Sequence, residues 1–251
     1  MKKMLLPLIV VCCLTPITAF AGHPLVTDSA ETVEPRNVEA ETALEYYRDK
    51  NFGARTNTFF LQETVTVGLI PKVDGFVTVP FSHHSGDGIS SESGLNDMTL
   101  GVKWNFLNID KAAFAFKPFL ALPTGDNNKG FGAGGVGFGA IAVASLELDK
   151  RLTVDGNLSL KRQATDGDSY NEFGISVAGK FEATKELTLV GELATVKDDT
   201  SGSKWETSLT AGAIYAVQKN IDIDLGLRFG LTNDTEATQD FGVLAGVTLK
   251  F

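Results

Sequence analysis

The chain has 251 residues, with 22 Lys and Arg against 31 Asp and Glu, a formal net charge of -9 and 43% hydrophobic residues. This acidic balance argues against nucleic acid as a partner, because such a partner requires a basic surface. Both cysteines, Cys12 and Cys13, lie within the first 21 residues. Disulfides, a cysteine nucleophile and thiolate metal sites are therefore excluded from the rest of the chain.

Residues 1–21 have the pattern of a secretory signal peptide. Lys2 and Lys3 precede an apolar stretch that runs to about Ile17, and the small residues Ala19 and Ala21 form a cleavage site before Gly22. The apolar stretch is too short for a membrane-spanning helix. The mature chain is therefore expected to leave the cytoplasm.

Residues 22–36 form a separate N-terminal segment without any alternation of apolar and polar residues. Pro24 and Pro35 lie within it. We expect it to be either a periplasmic tail or a plug inside the domain that follows, which spans residues 37–251.

From residue 37 onward almost every segment alternates with a period of two, the pattern of a strand whose two faces meet different environments. In "IDIDLGLRF" (221–229), for example, aliphatic residues and Phe alternate with Asp, Gly and Arg. Helical spacing is not sustained anywhere. The pattern predicts about twelve strands, at 37–48, 55–69, 75–82, 97–107, 112–123, 135–148, 151–163, 171–182, 187–197, 204–217, 220–231 and 240–251.

The strand lengths and connections favour a transmembrane antiparallel up-and-down β-barrel. Most segments have about the 9–11 residues of a tilted strand that crosses a bilayer, and their number is even. Short connections such as "LDKR" alternate with longer polar ones such as "TNDTEATQD". This predicts periplasmic turns, extracellular loops and both termini in the periplasm of a Gram-negative bacterium. A secreted all-β sandwich or barrel is the soluble alternative.

Aromatic residues near both ends of the predicted strands distinguish these alternatives. They form two bands on the apolar face, as expected for a surface that meets lipid at two interfaces. The chain ends on Phe251, at the lipid-facing end of the last alternating strand. A terminal aromatic residue of this kind resembles the recognition signal for the outer-membrane barrel-insertion machinery. The bands comprise Tyr46, Phe59, Phe81, Phe138, Phe173, Trp205, Phe229 and Phe241 at one end, and Trp104, Phe106, Phe114, Phe181, Tyr215 and Phe251 at the other.

The opposite face of the strands is polar and is predicted to line the lumen. These residues could form a passage for small solutes with an acidic wall, or they could fill the lumen with ion pairs; the sequence leaves both interpretations open. The lumen-lining candidates are Glu39, Glu41, Glu45, Lys103, Lys117, Glu147, Asp155, Lys161, Glu172, Lys180, Glu192, Glu206, Asp222, Asp224 and Arg228.

Glu63 departs from the pattern, because its parity places a carboxylate on the lipid-facing side. We expect a bulge or an interfacial position there, since charge near the membrane midplane is costly.

Two motifs suggest chemistry only superficially. His83, His84 and Ser85 could pair a base with a nucleophile, but the sequence offers no orienting acid, and we expect them to belong to a Gly/Ser-rich loop. "GFGAGG" (130–135) fits a nucleotide-binding pattern, but a strand follows it instead of a helix. No catalytic residue, metal site or cofactor is predicted.

Several stretches resemble the outer-membrane barrel family named for the MetA pathway of phenol degradation. They are "HPLVTDSAETVEPRNVEAE" (23–41), "GLIPKVDGFVTVPF" (68–81), "SGLNDMTLGVKWNFL" (93–107) and "ALPTGDNNKGFGAGG" (121–135). The resemblance implies a transporter-like protein that handles hydrophobic or aromatic compounds.

These observations together predict an outer-membrane channel whose partners are membrane lipid, the insertion machinery and a small-molecule solute. Two alternatives stay open: a structural or partner-binding barrel with a closed lumen, and a surface hydrolase.

Overall fold

The computed structural model describes residues 22–51, 54–87, 89–232 and 238–251, and it confirms the all-β prediction. The signal peptide prediction lies outside these residues. No helix in the described part of the chain is long and apolar enough to cross a membrane. The strands are β1 (Val38–Asn51), β2 (Ala54–Ile70), β3 (Val73–Gly86), β4 (Ile89–Leu95), β5 (Met98–Ile109), β6 (Ala112–Leu122), β7 (Gly134–Asp149), β8 (Leu152–Thr165), β9 (Ser169–Glu182), β10 (Leu187–Asp198), β11 (Glu206–Gln218), β12 (Ile221–Gly230) and β13 (Thr238–Lys250).

Twelve of these strands form a closed antiparallel barrel. Each pairs with its neighbours in sequence, except that β3 continues to β5 and β4 lies outside the ring. β1 closes the circle, because it pairs with β2 on one side and β13 on the other. Phe251 extends the closing pair: Val38 N donates to Phe251 O at 3.0 Å, and Phe251 N donates to Val38 O at 2.8 Å. Closure leaves the ring without a free edge, as a bilayer requires.

The strands alternate as predicted, with apolar residues outside and mostly polar residues inside. On β12, Leu225 is 66% exposed whereas its neighbour Asp224 is 5% exposed. On β5, Trp104 is 53% exposed and Asn105 is buried. Polar groups are thus buried and apolar groups exposed, which is the reverse of the arrangement in a water-soluble domain. It is the arrangement expected where the outer surface contacts lipid.

The two ends of the barrel differ. One end, here called the turn end, carries connections of two to four residues, at 71–72, 110–111, 150–151, 183–186 and 219–220, together with the start of β1 and the end of β13. The other, the loop end, carries longer connections such as 123–133 and 199–205. The predicted alternation of short and long connections is therefore present.

The expected loop at His83, His84 and Ser85 is wrong, because these residues belong to β3. β3 continues to Gly86 and pairs with the extra strand β4 in a hairpin. β5 pairs with β3 only between Val73 and Thr78, and β4 covers the remaining edge. The expectation failed because this stretch is rich in Gly and Ser and polar on both faces.

Of the two situations expected for Glu63, the bulge is absent, and the interfacial position stays a prediction. The pairing of β2 with β1 and with β3 is regular on both sides of this residue. Its charge is accommodated by a neighbour, since Thr42 Oγ1 donates to Glu63 Oε2 at 2.5 Å.

Candidate functional site

The N-terminal segment, residues 22–36, lies inside the barrel and follows its inner wall. His23 contacts β1 and β12, Thr27 contacts β9 and β10, and Val33 contacts β3. The segment returns to the turn end, where Arg36 N donates to Gly68 O at 2.8 Å. The candidate site is therefore the lumen together with the chain segment that lines it.

His23 lies among three carboxylates of the wall. Its Nδ1 is 2.5 Å from Asp224 Oδ1, its Nε2 is 3.3 Å from Glu45 Oε1, and its backbone N donates to Glu41 Oε2 at 3.1 Å. Burial lowers the pKa of His23, but the hydrogen bond to Asp224 and the charge of Glu45 outweigh it and raise the pKa to about 9. At neutral pH the residue is therefore a cation that neutralises part of an acidic wall.

Arg228 connects the same region to the backbone of the segment. Its Nη2 donates to Pro24 O at 3.2 Å, its Nε to Thr210 Oγ1 at 3.0 Å and its Nη1 to Tyr47 Oη at 2.7 Å. Tyr47 in turn donates to Glu45. The buried guanidinium is thus satisfied by wall and segment together.

Glu192 receives the next residues of the segment. Its Oε2 accepts hydrogen bonds from Val26 N at 2.8 Å, from Thr27 N at 2.6 Å and from Thr27 Oγ1 at 2.7 Å. Backbone N–H groups with no partner in a strand are satisfied in this way by a buried carboxylate.

The contact of Asp28 has the opposite charges to that of His23, because an acidic residue of the segment is held by basic residues of the wall. Lys117 Nζ lies 2.5 Å and Lys103 Nζ 3.4 Å from its carboxylate. Burial raises the pKa of Asp28, but the charges of Lys103 and Lys117 outweigh it and hold the pKa below its ordinary value. Asn157 fixes the backbone of Asp28, because its side chain accepts from Asp28 N at 2.6 Å and donates to Asp28 O at 2.9 Å.

The second half of the segment is held by hydrogen bonds to its backbone. Ala30 N donates to Ser145 Oγ at 2.8 Å, and Ser145 donates to Asp155 Oδ1 at 2.5 Å. Lys180 Nζ pairs with Asp155 Oδ2 at 2.9 Å. Val33 N donates to Asp74 at 3.0 Å.

Glycines on the inward face make room for the segment. A Cβ atom added at Gly226 would lie 2.8 Å from Cβ and 3.0 Å from Cγ of Pro24. Gly191 lies on the outward face of β10, where an added Cβ would meet nothing within 4 Å. The absence of a side chain at Gly226 therefore leaves the space that Pro24 occupies against the wall.

The sequence prediction missed two apolar patches on the inner wall. Ala30 packs in a buried cluster with Phe76, Ala115, Phe119, Ile141 and Val143. Leu25 packs with Ala178 and Val190. A signal was present in "AIAVA" (140–144), where both faces of β7 are apolar and one of them must point inward. The segment is thus held by apolar burial as well as by charge.

Among the described residues, the other lumen-lining candidates form no hydrogen bond or ion pair with the segment. Asp222 pairs with Lys250 at 2.6 Å at the turn end, near Glu39, and Glu147 is exposed at that end. Glu172, Lys161 and Glu206 lie toward the loop end. The candidates thus divide into a central group around the segment and two groups at the ends.

The connection between β6 and β7 also reaches inward. Phe131 is 1% exposed and its ring stacks on His84 at a centroid distance of 5.5 Å. His83, on the outward side, has Nδ1 at 2.7 Å from Ser93 Oγ, so it pairs with β4 instead of with Ser85.

Comparisons with known proteins agree with this architecture. The model of a protein family described as "Putative MetA-pathway of phenol degradation" matches residues 21–251. No curated protein sequence matches the chain.

Three solved structures illustrate the likeness of fold. The COG4313 outer membrane channel from Pseudomonas putida F1 has a TM-score of 0.74 at 14% identity, with 88% of this chain and 98% of that chain covered. The NanC porin has a TM-score of 0.60 at 13% identity, with 84% and 100% covered. The CymD monoaromatic hydrocarbon channel has a TM-score of 0.50 at 10% identity, with 86% and 88% covered.

Proposed function

Because the chain belongs to the family described as "Putative MetA-pathway of phenol degradation", we propose that it is an outer-membrane channel for small solutes, including hydrophobic or aromatic compounds. Similar folds among solved structures include a monoaromatic hydrocarbon channel, which supports this class of solute.

The observation that carries the proposal is that a separate chain segment, held by side chains of the wall, occupies the central part of the lumen. The segment is attached through hydrogen bonds, ion pairs and a few small apolar contacts. We expect it to be able to leave or shift without unfolding the ring, because the strand pairing does not include it. The function therefore combines a conducting barrel with an N-terminal segment that restricts it.

The same arrangement supports a second candidate, a structural barrel whose lumen is permanently closed. Buried ion pairs such as that between Asp28 and Lys117 can also hold the segment in place permanently. The two candidates differ in whether any solute crosses.

The surface hydrolase has less support. The His83 ring is hydrogen-bonded to Ser93, and among the described residues no carboxylate forms a hydrogen bond or an ion pair with it. We infer that the pair stabilises the hairpin of β3 and β4.

The location and assembly route belong to the same proposal. A cleaved signal peptide would deliver the chain across the inner membrane, with the turn end in the periplasm. Phe251, which is 69% exposed on the outward side, would serve as the signal for the insertion machinery.

The test is the swelling of liposomes that contain the purified barrel, with sugars, amino acids and simple aromatic compounds that cross protein-free vesicles slowly. We expect faster entry of small solutes than in protein-free vesicles and in vesicles with heat-denatured protein. Equal rates for every solute would favour the closed structural barrel.

A further inference from the structure

The loop end of the lumen contains a group of acidic side chains beyond the reach of the N-terminal segment. Glu172 lies four residues further toward the loop end of β9 than Ser176, which contacts the segment. Glu206 is the first residue of β11, and Asp49 lies near the end of β1. We call this group, Asp49, Glu172, Asp198, Glu206 and Asp240, the acidic mouth.

These carboxylates lie close enough to influence one another. Glu172 and Asp198 are direct partners across β9 and β10. Glu206 is within electrostatic range of Asp198, Asp49 and Glu172, and Asp49 is within range of Asp240. The group is thus one electrostatic unit that faces the lumen from several strands.

Little positive charge balances the acidic mouth. Lys161 is the partner of Glu172 across β8 and β9 and offsets part of its charge. In the described part of the chain, the charged groups within electrostatic range of Glu206 and Asp49 are all acidic. Fixed like charges in a confined space favour a bound cation or a proton.

Two buried carboxylate oxygens in this group are available to accept a hydrogen bond. Glu172 is 3% exposed, and its Oε1 has no hydrogen-bond partner among the described residues. Asp49 Oδ1 is likewise buried without a described partner. Buried acceptors are ordinarily satisfied, so these two oxygens indicate where a donor would bind.

The spacing of the carboxylates favours an organic cation over a metal ion. Among the described residues, no three His, Cys, Asp or Glu side chains are close enough together to hold a metal. An ammonium group needs no such cage, because each of its N–H donors can satisfy one carboxylate oxygen in a charge-assisted hydrogen bond. A molecule with two ammonium groups can bridge carboxylates on different strands.

We propose that the acidic mouth is a binding site for amine-bearing organic cations, held by Glu172, Glu206 and Asp49. Binding depends on this group alone, whereas the idea that the bound amine is also a transported solute rests on the proposed channel function.

The test is isothermal titration of the purified full barrel in a neutral detergent, near neutral pH and at low salt, with putrescine as the probe. Butanediol serves as the neutral analogue and MgCl₂ as the metal. We expect saturable binding of putrescine, no binding of butanediol and weaker binding of Mg²⁺. Glu172→Gln and Glu206→Gln should each weaken putrescine binding about tenfold, the loss expected for one charge-assisted hydrogen bond.

Glu186→Gln is the matched control, because Glu186 lies in a turn at the opposite end of the barrel. Its affinity for putrescine should equal that of the unmodified protein. If a variant does not refold, titration of the unmodified protein at rising salt replaces it, since binding to fixed charges must weaken as salt screens them.

Absence of saturable binding, equal affinity in all three variants, or Mg²⁺ binding as tight as putrescine would each overturn the proposal. If putrescine binds but the liposome test shows no solute entry, the proposed binding site is supported and only its link to transport is contradicted.

Discussion

The positively charged His23 contacts Glu41, Glu45 and Asp224. Because histidine can lose its charge, the docking of the N-terminal segment depends on pH. The pKa of His23 is about 9 in the docked segment, compared with an ordinary value of 6.5 for a histidine exposed to solvent. A raised pKa means that the stabilisation is complete below about pH 6.5 and is lost as the pH rises through about 9. The contribution is on the order of 3 kcal/mol. Asp28 behaves oppositely, because its pKa is lowered in the docked segment. Its ion pairs therefore stabilise the docked segment at a pH above the ordinary pKa of an aspartate, and this stabilisation is lost in acid.

We therefore expect the N-terminal segment to become accessible as the pH rises from 6.5 to 9, measured by limited proteolysis of the refolded barrel. His23→Gln removes the titrating group and leaves the lysines around Asp28 in place. This variant should be more accessible at pH 6.5 and change less across the same range. Identical pH profiles for the two proteins would show that His23 does not control docking.

At the scale of single elements, the strands were predictable and the segment was not. Alternation determines which face of β12 or β13 points inward, so Asp224 and Arg228 could be placed from the pattern. Residues 22–36 carry no period, because they pair with side chains instead of a neighbouring strand. Contacts such as those of His23 with Asp224 join residues 201 positions apart, and no local pattern encodes them.

The last strand, β13, illustrates an element with two separable roles. In the finished barrel Phe251 is one exposed aromatic among many, and its loss should cost about 2 kcal/mol or less. As the proposed insertion signal it should matter far more while the chain is unfolded.

Deletion of Phe251 should sharply reduce assembly in cells and increase degradation in the periplasm. The same variant should fold from urea into detergent micelles, as judged by heat-modifiable mobility in gel electrophoresis. Normal assembly in cells would contradict the signal role, and equal failure in micelles would make the residue structural.

At the scale of the whole molecule, the barrel has three layers: an apolar outer surface, a hydrogen-bonded ring and a polar interior occupied by residues 22–36. The ring is complete without the segment, whereas the segment depends on the ring for its partners. This asymmetry is the reason that we propose the segment as a removable restriction.

Ion conductance across planar bilayers, compared between the full mature chain and a variant that begins at Glu34, tests this account most directly. Gly226→Ala provides a second variant that keeps the segment and displaces Pro24. Gly191→Ala is its control for a Gly-to-Ala change outside the lumen, since Gly191 lies on the outward face and an added Cβ there meets nothing. We predict a small conductance for the full chain and for Gly191→Ala, a several-fold larger one for the shortened chain, and an intermediate one for Gly226→Ala. A shortened chain that folds and conducts no better than the full chain would contradict the account.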